Sequence, residues 1–204
     1  MKQSLYTLAI LLFVFSCGKL QKEPEEIGFI PVEVDVEERE SSSIGEIIDS
    51  LHGVPVYYNG YDILHTVGRH KSADGYNYGL KWQCVEFVKR YYFDHLNHRM
   101  PNTWGHARDF FNLYLTNGVY NADRALFQWR NGSERKPRIN DILVFGGDRY
   151  GHVAIISKVG RDSIEITQQN VGKKSRSDLK LTWRNDRWYV RHSKVLGWLS
   201  RSKE

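Results

Sequence analysis

The sequence predicts a single α+β domain, with a thiol-bearing helix packed on an antiparallel sheet that carries a histidine and an amide. Three observations lead there. Phe87, Val88, Tyr91, Tyr92 and Leu96 recur at spacings of three and four, which marks one face of a helix. Residues 141–145 and 152–156 are short apolar runs next to turn residues, the mark of buried strands. Residues 164–170 alternate with period two, as a half-buried strand does. The chain has 204 residues, 41% of them hydrophobic and 13% aromatic, enough for one core of this size. That composition excludes a chain disordered throughout, a collagen-like repeat and a polytopic membrane protein. Two cysteines exclude a disulfide scaffold.

Taken in order, the chain starts with Met1-Lys2 and an almost unbroken apolar run over residues 5–15. The run is shorter than the roughly 20 residues a membrane-spanning helix needs, and it fits the core of a signal peptide. It ends in Ser16-Cys17-Gly18, which resembles a bacterial lipobox, where cleavage leaves Cys17 as a lipidated N-terminus. A plain secreted protein or an uncleaved anchor is the alternative. On this reading residues 1–16 are a lipoprotein signal peptide, 17–41 an acidic tether and 42–204 the folded domain. The protein is then expected at the bacterial cell envelope, held to the membrane by its lipid. Residues 18–40 carry eight acidic side chains against three basic ones, whereas everything after them is net +9. A basic body suits an anionic surface or substrate. No run of Lys and Arg with interleaved aromatics appears, so nucleic acid is not an expected partner.

Next comes the helix. If Cys17 carries lipid, Cys84 has no partner in the chain and is either a buried hydrophobe or a reactive group. Gly79 breaks the chain before it and the helical spacing follows it, so Cys84 falls near a helix N-terminus. Unsatisfied backbone N–H groups and the helix dipole favour an anion there, which lowers a thiol's pKa. The same N–H groups can hold the oxyanion of an attacked amide.

A cysteine nucleophile needs a base, and the chain offers eight histidines. His95 and His98 belong to the same helix, turns away from Cys84. Their spacing of three suggests a metal pair, but no third ligand is evident nearby, so no metal is expected. His52, His65, His70, His106 and His192 sit in segments without a distinctive pattern. His152 follows a glycine-rich turn and opens the apolar strand Val153-Ala154-Ile155-Ile156. A histidine there is held rigidly, as a general base should be, although a mere strand cap is equally consistent with that segment alone. The following strand places Ile164, Ile166, Gln168 and Asn170 on one face, apolar first and then polar. Inward polar groups need partners, and a histidine on the neighbouring strand is one. Val190 and residues 195–199 add strands at the C-terminus.

Trp82-Gln83-Cys84-Val85-Glu86-Phe87 resembles the nucleophile segment of the CHAP family of cysteine- and histidine-dependent amidohydrolases and peptidases. Gly151-His152-Val153-Ala154-Ile155-Ile156 resembles its histidine strand, Gln168-Gln169-Asn170-Val171 its third segment, and Val195-Leu196-Gly197-Trp198 its closing strand. Gly53-Val54-Pro55-Val56-Tyr57 is similar to a segment of the amidase half of glutathionylspermidine synthetase/amidases. The resemblance implies a papain-like, NlpC/P60-related α+β fold with helices first and an antiparallel sheet after them. It implies Cys84 as nucleophile, His152 as base, Gln168 and Asn170 orienting His152, and a thioester intermediate without metal or organic cofactor. The Cys84 backbone N–H, helped by Gln83 or Tyr57, would hold the oxyanion. Trp82 and Tyr57 either line the substrate groove or pack in the core. Where the family has Glu the sequence has Gln168, which can accept the ring N–H but contributes little charge stabilisation. Two substrates fit: peptidoglycan stem-peptide amides, from location, and glutathionylspermidine, from similarity. A CHAP-like binding module that has lost turnover is the non-enzymatic alternative.

Overall fold

The computed structural model of the chain describes residues 43–147 and 149–204. The signal peptide, Cys17 and the acidic tether expected from the sequence lie outside the described residues, as does Asp148.

The chain begins with a hairpin, β1 (Ile47–Leu51) and β2 (Val54–Tyr57), closed by the pair Leu51↔Val54. The two turn residues, His52 and Gly53, both have positive φ, the geometry whose twist matches the flanking strands. A second hairpin pairs β3 (Arg69–Lys71) with β4 (Asn77–Leu80). Helix α1 (Cys84–Asp94) follows, and then a 3₁₀ turn at Ala107–Phe110. The rest is strand: β5 (Val119–Asn121), β6 (Leu126–Arg130), β7 (Ile142–Phe145), β8 (His152–Val159), β9 (Ser163–Thr167), β10 (Arg176–Arg184), β11 (Arg187–Val190) and β12 (Val195–Ser200). These eight form one antiparallel sheet in the order β11-β10-β9-β8-β7-β12-β6-β5.

The expected succession of N-terminal helices is corrected. Among the described residues α1 is the one α-helix, so the domain is a sheet-rich α+β structure. Residues 43–83 cannot sustain helices for a local reason. Gly45, Gly53, Gly60, Gly68, Gly75 and Gly79 all take positive φ, and the segments left between them are too short to nucleate one.

Alternation along the sheet splits the core in two. Ile142, Val144, Val153, Ile155 and Leu199 face α1 and pack with its Phe87, Val88, Tyr91 and Tyr92, all buried. Leu143, Phe145, Ala154, Ile156, Ile164, Ile166 and Trp198 form a second buried cluster. No helix covers that face among the described residues; curvature does. The Gly132 N–H donates to the Trp188 carbonyl at 2.8 Å and the Trp188 N–H to the Ser133 carbonyl at 2.7 Å. The β11 end of the sheet thereby meets the chain leaving β6, and the sheet curls around its own apolar face.

Candidate active site

Cys84 is the first residue of α1, buried at 6% exposure, and lies in the same apolar cluster as Val153. The residue before it, Gln83, has extended backbone geometry, and its side chain makes no capping bond to the helix. That side chain reaches the other way. Its Nε2 donates to the carbonyls of Ile63, at 3.1 Å, and His65, at 2.8 Å, while its Oε1 accepts from Asn170 Nδ2 at 2.7 Å. Both amide hydrogens of Gln83 are therefore spent on the 63–65 loop. An oxyanion requires a donor, and the expected part of Gln83 in holding one would need one of these hydrogens released.

His152 opens β8 opposite Phe145 in β7. The turn before it leaves no room for a side chain. Gly151 has φ +67°, and a Cβ there would collide with the Phe145 carbonyl and lie 2.9 Å from the Arg108 backbone N. This close approach seats the base of β8 against the 3₁₀ turn. His152 Nε2 lies 3.0 Å from Gln168 Oε1, and the polarity of that contact can be worked out. Gln168 Nε2 donates to the Lys174 carbonyl at 3.2 Å, and a carbonyl can only accept, so the amide nitrogen must point there. A second bond, to Ser177 Oγ at 3.2 Å, agrees. Oε1 then faces the ring, so Nε2 of His152 carries a proton in that contact.

Strand β9 ends at Thr167, so Gln168, Gln169 and Asn170 diverge instead of continuing the alternation. Asn170 has φ +69°. It donates to the Ile63 carbonyl and to Gln83 Oε1, and its Oδ1 accepts from Asn59 Nδ2 at 2.8 Å. These bonds tie Asn170 to Gln83 and the 63–65 loop, and the side chain 3.0 Å from the His152 ring is that of Gln168.

Gln169, which the sequence reading left without a role, is 1% exposed and joins three elements. Its Oε1 accepts the Tyr57 N–H at 2.8 Å, and its Nε2 donates to the Gln83 carbonyl at 3.0 Å and to Glu86 Oε2 at 2.7 Å. Glu86, in the first turn of α1, is fully buried. Burial pushes its carboxyl up, but bonds from His70 (2.7 Å), Arg90 (2.6 Å) and Gln169 outweigh this and hold it below the ordinary carboxylate range. One signal was available in the sequence, since Glu86 and Arg90 stand four apart on the helix. Their burial could not be read from spacing. Tyr57 and Trp82 pack against each other with centroids 3.9 Å apart and planes tilted by 37°, and Arg90 lies over the Tyr57 ring at 4.9 Å. Both aromatic residues are half-buried, and the Tyr57 hydroxyl makes no hydrogen bond among the described residues.

Residues 74–170 match the CHAP domain, a span that takes in Cys84, His152 and Gln168. The chain is also similar to the bifunctional glutathionylspermidine synthetase/amidase of Escherichia coli strain K12, with 30% identity over 176 residues. That alignment covers 74% of this chain and 28% of the relative. The protein of the same name from Shigella flexneri shows the same figures. Trypanothione synthetase of Crithidia fasciculata is 30% identical over 122 residues, 57% of this chain and 18% of that protein. The chain thus spans little more than a quarter of the length of the two synthetase/amidases and less than a fifth of the trypanothione synthetase. Residues 74–170, which hold the helix with its thiol and the strand with its histidine, are thus similar to the CHAP domain over a little under half of the chain.

Proposed function

We propose that the protein is a cysteine-dependent amide hydrolase. The observation that carries this reading is the imidazole of His152, whose tautomer the fixed amide of Gln168 selects, at one end of a site whose helix begins at Cys84. Similarity to the CHAP domain and to a synthetase/amidase supports a hydrolase of the amidase or peptidase kind. In the proposed step Nδ1 of His152 takes the thiol proton while Cys84 Sγ attacks the amide carbon. The tetrahedral oxyanion lies at the N-terminus of α1, where first-turn N–H groups point, with the Tyr57 hydroxyl as a second donor. His152 returns its proton to the departing amine, which leaves a thioester on Cys84. Water, deprotonated by His152, then cleaves the thioester and restores the thiol.

The substrate we favour is a peptidoglycan stem-peptide amide, met by a lipoprotein anchored at the envelope through Cys17. The apolar run, the lipobox-like Ser16-Cys17-Gly18 and the net +9 of the residues after the acidic stretch support it. A glutathione–polyamine amide is the second reading, favoured by the 30% identity to glutathionylspermidine synthetase/amidases. Incubating the protein, with Cys84→Ala as control, with purified peptidoglycan fragments and with glutathionylspermidine, and weighing the products, separates the two. If neither amide is cleaved and Cys84 alkylates no faster than a free thiol, the hydrolase reading fails.

A further inference from the structure

The outward face of the β10–β11 hairpin carries an arrangement that its own folding does not favour. The register places Arg184 directly opposite Arg187 and Thr182 opposite Tyr189. The Arg191 N–H donates to the Lys180 carbonyl at 2.8 Å, which sets those two residues opposite one another as well. Lys180, Arg184, Arg187 and Arg191 thus form two like-charge rungs on one face, and all four are exposed. Like charges placed directly opposite destabilise a strand pair. Among the described residues none of the four is ion-paired with a carboxylate. What they do contact is not anionic: Arg187 donates to the Gly132 carbonyl at 3.1 Å, and Arg184 lies 5.4 Å from the Tyr189 ring centroid. The face is bounded by Asp178 at one end and Asp186 in the turn.

The ladder opens onto a cavity of about 580 Å³ lined by Tyr189, Arg191, His192, Ser193 and Asn131. Repulsion left unrelieved by the fold and a tyrosine between the rungs are what an anionic chain lying along the hairpin would use. We propose that this face binds an acidic cell-wall polymer, peptidoglycan with its stem-peptide carboxylates. The choice of that polymer rests on the peptidoglycan reading above; the charge ladder does not.

The test is co-sedimentation of the full chain with purified peptidoglycan sacculi, set against a variant carrying Lys180→Gln, Arg184→Gln, Arg187→Gln and Arg191→Gln. DNA and anionic phospholipid vesicles serve as parallel probes. Removing each cation should weaken sacculus binding about fivefold, as for cations near an anionic surface. About 0.5 M salt should abolish the difference between wild type and variant. The melting temperature should stay level or rise, and Cys84 alkylation should not change. Equal sacculus binding by variant and wild type overturns the proposal. So does a larger wild-type-to-variant difference on DNA or vesicles than on sacculi, or a variant that unfolds, which would make the ladder structural. Failure of the hydrolase reading shows separately, as absent cleavage by a wild type that still sediments.

Discussion

At the scale of single residues, the proposed chemistry turns on which imidazole nitrogen carries the proton. Gln168 decides it through a chain of one-way bonds: the Lys174 carbonyl fixes the amide, and the amide fixes the ring. Gln168→Ala removes one neutral hydrogen bond, worth on the order of 1 kcal/mol, and should slow turnover and Cys84 alkylation several-fold with the fold intact. Gln168→Glu should act differently on rate and stability. A carboxylate beside the ring stabilises imidazolium and the reactive ion pair, so alkylation near neutral pH should speed up. Its second oxygen would face the Lys174 carbonyl, which the amide now satisfies as donor, and stability should fall by roughly 1–3 kcal/mol. Alkylation rate against pH and thermal melting of both variants check this; a Glu variant slower than wild type at every pH removes Gln168 from the orienting role. Gln168 could be seen in the sequence because it stands where the family that the sequence resembles has a carboxylate. The destinations of Gln83 and Asn170 could not, because each is committed to the 63–65 loop, and a loop's path leaves no periodicity to read.

Among elements, α1 is bolted at its first turn as well as packed along its length. Gln169 ties the Gln83 carbonyl and Glu86 to the Tyr57 N–H, so helix, hairpin and the end of β9 share one side chain. Gln169→Leu keeps the volume close and removes all three bonds. It leaves a buried carboxylate oxygen and a buried N–H short of partners, which should cost about 2–4 kcal/mol. If the bolt also sets where Cys84 stands, turnover and thiol alkylation should drop together while KM stays near wild type. A loss of stability alone would mean that α1 is positioned by its apolar face. That face was plain in the sequence, since Phe87, Val88, Tyr91 and Tyr92 recur at helical spacing and all four are buried. Strands β7, β8, β9 and β12 were equally plain as apolar or alternating runs. The short hairpins were not, because strands of three to five residues between glycines show too little pattern. The helices expected in their place came from the family resemblance, and no 3.6-residue period in residues 43–83 supported them.

Over the whole molecule, buried ionisable groups set how stability runs with pH, and they act at opposite ends of the scale. The Glu165 carboxyl is held at about 2, chiefly by its bond to Lys158, with Ser157 and Arg176 adding to it. Glu86 and Asp49 also lie below their ordinary values, because their hydrogen bonds outweigh burial. Carboxyls lowered on folding contribute fully above the unfolded value and lose that contribution as pH falls through the folded one. Stability should therefore decline from about pH 4.5 downward. Asp141, raised by burial, works the other way. The alkaline side belongs to Lys89 on α1. Fully buried, it donates to the Asn77 and Thr103 carbonyls, and burial, with Arg124 and Arg69 nearby, depresses it to about 7. Between about pH 7 and 10 the unfolded chain keeps this proton and the folded one releases it, so stability must rise with pH across that window. The gain is close to 1.4 kcal/mol per pH unit at most. Above about pH 10 the tyrosines Tyr78, Tyr91 and Tyr92, all raised by burial, reverse the trend. Lys89→Met removes the titrating group. It should flatten the melting temperature between pH 7 and 9.5, where wild type climbs by about 6–12 °C. It should also give the variant its best relative stability at or below pH 7, where the wild-type ammonium is buried charged. Melting curves of the two proteins that run parallel from pH 6 to 9.5 would show that Lys89 keeps its proton in the folded state.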